Sequence, residues 1–432
     1  MPLPHEVFVQ LRDRCSQLVA DEVAGGAQTS ESQDEMRTRC IRRVVGDYSS
    51  SEHALSPEEE HALGTELFAA LYGLGPLQPF LDDQNVENID VVGAAKTFIR
   101  FGDGRKLLYE DLFPNDDEVV RVIGTAVASH GLTERRFDRA HPIVKVRLRD
   151  GSRMCAVQGV SPHPSVSIRR HRLGDMPLGD LVLHGMLDAD LAEFLVACVQ
   201  AKKNIVVAGP MNGGKTTLLR ALCAEIPPAE RIITVEQTLE LGLDAQEARH
   251  PDCVAMEARE ANAEGQGEMT MAELVKSTLH MNADRVIVGE VLGSEVVPML
   301  KAMSQGRSGS MCTIHAENSE VAFQRLTMYA LEDQQLPVEA VERLICSTIH
   351  LVVQIDAVPI IEGGEHLGMR RVVSSIREVE GYIDGRRMTS ELWRPDPESF
   401  RAVQTSVPPT KDLRTSLERV GYEFIATEPA WT

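Results

Sequence analysis

A glycine-rich segment that ends in a lysine and two threonines is the part of the chain whose residue types point most directly to chemistry. Residues 209–217 read GPMNGGKTT, which fits the pattern Gly-x-x-x-x-Gly-Lys-Ser/Thr. Glycines let such a loop close around a phosphate with backbone N–H groups pointing inward. Lys215 is expected to reach the β- and γ-phosphates of ATP, and Thr216 is expected to hold Mg²⁺. The candidate nucleotide-binding residues of this loop are Gly209, Asn212, Gly213, Gly214, Lys215, Thr216 and Thr217.

Two glutamates end apolar runs that are typical of buried strands. Glu236 ends residues 231–236, and Glu290 ends residues 285–290. The carboxyl ends of strands in an open parallel sheet border the ligand crevice, so both carboxylates are expected near the phosphates. Glu240 follows four residues after Glu236 and is expected to share that cleft. Because hydrolysis needs a group that orients water and a carboxylate near the metal, all three are candidate catalytic residues. Glu290 is also a candidate metal ligand beside Thr216.

His315 ends a further apolar run, residues 310–315, which follows a stretch of small residues. An imidazole at this place is a candidate to sense the γ-phosphate or to stabilise developing charge. The alternative is a histidine with a structural role only. The three candidate carboxylates and the lysine loop are the reason to place His315 among the catalytic candidates.

Strands and helices alternate through the region that carries these residues. The predicted strands are 204–208, 231–236, 285–290 and 310–315. The predicted helices are 215–225, 270–281, 294–304 and 318–332. This alternation predicts βαβ units and therefore an α/β fold with a largely parallel sheet. Runs at 350–356 and 370–380 predict an antiparallel extension of it.

The residues before this region predict a different order of secondary-structure elements. Residues 1–55 predict two amphipathic helices in an N-terminal extension. Residues 56–170 combine helices at 56–72 and 116–130 with several short strands, which predicts a smaller α+β domain. Residues 171–188, which contain Gly174, Pro177 and Gly179, are interpreted as a hinge linker.

Composition limits the classes of function. The chain has 432 residues and a net charge of −21, and this acidity opposes sequence-independent binding to nucleic acid. The eight cysteines form no tight pair, which is typical of reduced thiols in a cytosol rather than of a zinc site. We see no signal peptide and no uncharged apolar run of transmembrane length, so no direct membrane insertion is expected.

Four sequence blocks in order resemble the secretion ATPases of type II and type IV systems, most closely the CpaF-type ATPases of Tad/Flp pilus assembly. The first is the phosphate loop at 209–217, and the second is the acidic box TVEQTLEL at 234–241. The third is the Walker B-like block DRVIVGEV at 284–291, and the fourth is the histidine box GSMCTIHA at 309–316. The resemblance covers residues 56–360.

The resemblance implies a fold, partners and further site residues. It implies a homohexamer in which residues 189–432 form a RecA-like P-loop ATPase domain with a C-terminal extension. It implies that the domain before it supplies arginines to the phosphates of ATP, and the matching positions are Arg147, Arg153 and Arg169. Arg259 is a weaker match. It also implies a cytoplasmic motor that acts on an inner-membrane platform protein and is peripheral to the membrane through such partners.

Departures from the family pattern keep other readings open. Gln237, Leu292 and Arg307 replace residues that are usual in these boxes, which favours a nucleotide-dependent regulatory ring with slow or no hydrolysis as the alternative to a motor. A nucleic-acid translocase is a third reading. The net charge and the 4% content of aromatic residues oppose it.

Overall fold

The computed structural model describes most of the chain in two compact units, residues 1–172 and 173–432. The described residues are 3–24, 32–51, 55–102, 104–130, 136–148, 150–170, 176–261, 265–304, 306, 308–332, 336–362 and 365–425. Arg307 and the first residues of the predicted hinge, 171–175, lie outside them.

The first unit combines helices with one antiparallel sheet. Its helices are α1 (His5–Ala24), α2 (Gln33–Ser51), α3 (Pro57–Tyr72), a short 3-10 turn (Gly75–Leu77), α4 (Gln78–Asp82) and α5 (Asp116–His130). Its strands are β1 (Val86–Val92), β2 (Lys96–Phe101), β3 (Lys106–Glu110), β4 (Ile143–Arg147), β5 (Arg153–Val157) and β6 (Ser165–Arg169). Among the described residues these strands form one sheet in the order β3-β2-β1-β6-β5-β4, with antiparallel pairing throughout.

The three N-terminal helices pack on one another. Apolar residues of α1, α2 and α3, including Leu11, Ile41 and Leu67, form one buried cluster. Helix α3 begins where the sequence predicts, because Ser56 accepts a hydrogen bond from the Glu59 N–H while the Glu59 carboxylate accepts one from Ser56. This reciprocal pair satisfies N–H groups that a helix start otherwise leaves unpaired.

The second unit contains the strands and helices of the candidate site. Its helices are α6 (Leu178–Leu183), α7 (Ala189–Gln200), α8 (Lys215–Cys223), α9 (Met271–Thr278), α10 (Val296–Ser304), α11 (Ser319–Glu332), α12 (Val338–Thr348) and α13 (Lys411–Glu418). Its strands are β7 (Ile205–Gly209), β8 (Ile232–Glu236), β9 (Cys253–Glu257), β10 (Arg285–Val291), β11 (Met311–His315), β12 (Leu351–Glu362), β13 (Glu365–Ile383), β14 (Arg386–Pro395) and β15 (Ala402–Gln404).

The sheet of the second unit is parallel in its centre and antiparallel at one side. Its order in the described residues is β15-β14-β13-β12-β7-β11-β10-β8-β9. Pairing from β12 to β9 is parallel, and pairing from β12 to β15 is antiparallel. The central strand β7 is buried along its whole length, as expected for a strand covered on both faces.

The predicted fold class is confirmed: an α/β sheet carries the phosphate loop, and an α+β unit with a helical N-terminal region precedes it. Strands β3 and β9, which are five residues each, and helix α12 were not predicted from the sequence. Part of the predicted hinge forms α6, whose Leu178 and Leu181 are buried in the core of the second unit. No helix in the described part of the chain is long and apolar enough to span a membrane.

Candidate active site

The phosphate loop joins the carboxyl end of β7 to the start of α8. Asn212 and Gly214 have φ values of +58° and +91°, so the loop turns through left-handed conformations. A Cβ atom on Gly209 would lie 2.8 Å from the Ile355 carbonyl oxygen, and one on Gly213 would lie 2.9 Å from the Pro210 carbonyl oxygen. These positions therefore require glycine. The N-terminal end of helix α8 adds the partial positive charge of the helix dipole, which favours a phosphate.

Three predicted site residues from three elements form a hydrogen-bonded chain at this loop. Lys215 at the start of α8 lies with its Nζ atom 2.8 Å from Nδ1 of His315 at the end of β11. The Nε2 atom of His315 lies 2.6 Å from Oε1 of Glu290 on β10. Strand β11 lies between β7 and β10, and this strand order brings the three side chains together.

The donors in this chain define which nitrogen of His315 carries the proton. A lysine ammonium only donates, so Nδ1 of His315 accepts from Lys215. Nε2 of a neutral imidazole then carries the proton and donates a hydrogen bond to the carboxylate of Glu290. Burial, together with the positive charge of Lys215, lowers the pKa of His315 below its ordinary 6.5, which agrees with a neutral ring. The negative charge of Glu290 acts in the opposite direction.

Thr216 and Glu240 offer oxygen atoms that suit Mg²⁺. The Thr216 hydroxyl donates to Oε2 of Glu240 at 3.3 Å. Hydroxyl and carboxylate oxygens are the ligands that Mg²⁺ prefers, and the ion usually takes few protein ligands beside water and phosphates. The residues present therefore fit Mg²⁺ held with a nucleotide, although in the described residues no group of three or more acidic, histidine or cysteine side chains could hold a metal alone.

Glu236 is buried and holds the backbone of the segment that follows it. Its Oε2 atom accepts hydrogen bonds from the N–H groups of Glu240 at 2.7 Å and Leu241 at 3.0 Å. Burial raises the pKa of Glu236 to about 7, and these hydrogen bonds oppose that rise. Its carboxylate therefore orients Glu240, and Glu240 is the residue that reaches Thr216.

The three predicted arginines lie in one row on the sheet of the first unit. Arg147 on β4 pairs with Arg153 on β5, which in turn pairs with Arg169 on β6. Directly paired residues project from the same face of a sheet, and like charges placed opposite each other destabilise it. An anion bound to the row would offset that cost, and guanidinium groups match phosphate oxygens well.

The weaker candidate, Arg259, and two of the departures from the family pattern line one cavity. This cavity of about 270 Å³ is bordered by Gln237, Arg259 and Leu292, together with residues of the segment before α9. Arg259 donates to the Gly267 carbonyl at 2.6 Å. Gln237 and Leu292 are thus neighbours in space.

Two further side chains near the site were not predicted. Gln354 on β12 is buried, and its Nε2 atom lies within 3.4 Å of the Ala316 and Glu317 carbonyl oxygens, directly after His315. Arg371 on β13 donates to the Asn212 carbonyl of the phosphate loop. Neither residue belongs to a motif, so only the strand order of the folded chain places them here.

The sheet, the phosphate loop and the carboxylates beside it define a P-loop ATPase. Residues 71–407, most of the chain, match the family described as Type II/IV secretion system protein. The chain therefore belongs to this family of secretion ATPases. The predicted family and, with it, the predicted ATPase activity are confirmed, whereas the Tad/Flp subgroup stays a prediction.

The chain is also similar to individual proteins. A putative conjugal transfer protein of Mycobacterium tuberculosis is 35% identical over 260 residues, which are 57% of this chain and 70% of that protein. The probable conjugal transfer protein TrbB of Sinorhizobium fredii is 30% identical over 338 residues, which are 76% of this chain and 90% of that protein. Among solved structures, the VirB11 ATPase of the Brucella suis type IV secretion system aligns with a TM-score of 0.36 and 25% identity, over 73% of this chain and 96% of that one.

Proposed function

We propose that this chain is the motor subunit of a secretion or pilus-assembly machine, and that it works as a homohexamer which hydrolyses ATP with Mg²⁺. The observation that carries the proposal is the chain Lys215–His315–Glu290, which links the lysine of the phosphate loop to a carboxylate on the neighbouring part of the sheet. A γ-phosphate would compete with His315 for the lysine ammonium. The presence or absence of the γ-phosphate is thereby coupled, through Lys215 and His315, to Glu290, the residue that acts on water.

Each residue then has a defined role in hydrolysis. The loop N–H groups and Lys215 bind the phosphates, while Thr216 and Glu240 hold Mg²⁺, which neutralises charge on the phosphate oxygens when bound. Glu290 is the group best placed to orient or deprotonate the attacking water, because the side chain that its carboxylate contacts, His315, is neutral. Glu236 positions Glu240 through the backbone. The resemblance implies that Arg147, Arg153 and Arg169 supply further positive charge to the phosphates of a nucleotide.

The finer assignment concerns the machine that this motor drives. We propose a cytoplasmic location and action through an inner-membrane platform protein, with Tad/Flp-type pilus assembly as the particular system. The resemblance in the four sequence blocks supports this subgroup. The curated relatives reported above are conjugal transfer proteins, and conjugal transfer is the competing assignment.

The deciding experiment measures ATP turnover and particle mass on the same purified sample, for the wild type and for Lys215→Ala. We expect a hexamer whose turnover Lys215→Ala abolishes. A protein that binds ATP without turnover in every assembly state would contradict the motor and favour the regulatory ring. Turnover that rises on addition of DNA in a salt-dependent manner would instead indicate a translocase.

A further inference from the structure

The C-terminal antiparallel extension contacts the phosphate loop through one arginine. Arg371 on β13 donates from Nε to the carbonyl oxygen of Asn212 at 2.9 Å, although the two residues are 159 positions apart in the chain. Its Cδ atom lies 3.3 Å from the place that a Cβ atom on Gly214 would take. Arg371 therefore both packs against the loop and bonds to it.

The carbonyl that Arg371 contacts belongs to a peptide that is bonded at both ends. A trans peptide is planar, with its C=O and N–H groups pointing in opposite directions. The Asn212 C=O accepts from Arg371, and the N–H of the same peptide, on Gly213, donates to the Pro210 carbonyl at 3.1 Å. Bonds in such a chain polarise one another, so the cation at one end strengthens the bond at the other.

The Pro210 carbonyl connects this chain to the lysine that binds phosphate. It also accepts a hydrogen bond from Nζ of Lys215, at 2.9 Å. One peptide group and one carbonyl oxygen thus separate the guanidinium of Arg371 from the ammonium of Lys215. The backbone of Asn212 has a left-handed conformation, with a φ of +58°. Residues other than glycine adopt this conformation at a cost in free energy. A bond to its carbonyl offsets that cost.

We propose that Arg371 is a positioning residue of the nucleotide site. It holds the phosphate loop in the conformation that presents Lys215 to the phosphates, and it makes the C-terminal extension a functional part of the ATPase. This role rests on the proposed binding of ATP at the loop. Arg371 does not itself touch the reacting atoms in this role, so it acts on ATP affinity rather than on the chemical step.

The neighbouring arginine provides a matched control. Arg370 precedes Arg371 on the same strand, and it donates to the Ser399 carbonyl at 3.1 Å, away from the phosphate loop. Successive residues of a strand project from opposite faces of the sheet. Substituting Arg370 therefore removes the same charge from the same strand without touching the loop.

The test compares Arg371→Met, Arg371→Lys and Arg370→Met in the full chain. Arg371→Met keeps an unbranched stem that can pack on Gly214, and it removes the donor. For each variant we would measure the Kd for ATP by competition with a fluorescent ATP analogue, the KM and kcat of turnover, and the melting temperature without nucleotide. We expect Arg371→Met to raise Kd and KM about tenfold, since a hydrogen bond from a charged group is lost, while kcat and the melting temperature stay near wild type.

The controls separate positioning from general effects. Arg371→Lys, which keeps a charged donor, should recover part of the affinity, and Arg370→Met should match the wild type. An Arg371→Met variant that binds ATP as Arg370→Met does would overturn the proposal, as would equal loss of kcat and affinity. If the wild type binds ATP no better than Lys215→Ala, the proposed function itself fails. A clear difference between those two, with normal Arg371→Met, rejects only the role of Arg371.

Discussion

The Nζ atom of Lys215 lies 2.8 Å from the Nδ1 atom of His315, although 100 positions separate the two residues in the chain. This contact joins the phosphate loop to the end of β11 through a single hydrogen bond. Because the charged lysine ammonium donates hydrogen bonds and accepts none, the contact also selects the tautomer of His315. The imidazole then donates to Glu290, and the two contacts link the three side chains.

The charge on either side of His315 should control its pKa. We expect Lys215→Met to raise the pKa of His315, because the positive charge that disfavours protonation is removed. Glu290→Gln should lower that pKa, because the favourable negative charge is lost. NMR titration of the histidine Cε1–H signals, with His315→Gln to assign the resonance, measures both shifts. Equal pKa values in all three proteins would refute the hydrogen-bonded chain.

Glu236 should make stability depend on pH. Its folded-state pKa of about 7 exceeds the ordinary 4.5, so between these values the folded state binds more protons than the unfolded state. The free energy of unfolding should therefore fall as the pH rises from 4.5 to 7, by roughly 3 kcal/mol. Glu236→Gln still accepts the backbone hydrogen bonds but carries no charge, and it should remove this contribution.

Urea unfolding at pH 5 and pH 7.5 measures the effect, with tryptophan fluorescence, to which Trp393 contributes, as the signal. Trp393 is buried against Phe194, at 4.4 Å between ring centroids, and reports on the core of the second unit. Glu193→Gln, an exposed change on α7, is the control and should retain the pH dependence of the wild type. A Glu236→Gln protein with the full wild-type dependence would show that another group titrates.

Glu290 should matter for turnover and not for ATP binding. Glu290→Gln keeps the size of the side chain and removes the charge that accepts a proton, so kcat should fall at least about 100-fold. The Kd for ATP should stay near wild type, because the phosphate loop is unchanged. Glu317→Gln, an exposed change two residues after His315, should leave kcat unaltered. A small loss of kcat in Glu290→Gln would transfer the role in hydrolysis to Glu240.

The row formed by Arg147, Arg153 and Arg169 should bind anions, whereas repulsion among its like charges destabilises the folded protein. Arg169→Gln relieves repulsion with Arg153, so without nucleotide the melting temperature should not fall. If Arg169 contacts phosphate as the resemblance implies, the KM for ATP should rise about tenfold, because that charged hydrogen bond is lost. Lys145→Gln removes one positive charge from the same strand as Arg147, outside the row, and serves as the control. If both variants raise the KM equally, net charge and not the row is responsible.

The sequence by itself determined the phosphate loop, the α/β class and the start of helix α3. These features depend on residues that are close in the chain: glycines around a lysine, apolar runs of strand length, and a serine followed by a proline and acidic residues. Such patterns act through local backbone geometry, so they can be read without knowing the fold. For the same reason the apolar runs before Glu236 and Glu290 predicted strands ending at these residues; Glu236 is the last residue of β8, and Glu290 is the last but one of β10.

Only the tertiary structure decided what those residues contact. Strand order brought His315 between Lys215 and Glu290, and strand register aligned Arg147, Arg153 and Arg169. The buried carboxylate of Glu236 accepts hydrogen bonds from backbone N–H groups of the segment that follows it. A position at the end of a strand does not by itself specify these contacts. The bond from Arg371 to the phosphate loop spans 159 positions. Hydrogen bonds form between groups that are close in space, and sequence periodicity carries no information about which distant strand becomes the neighbour.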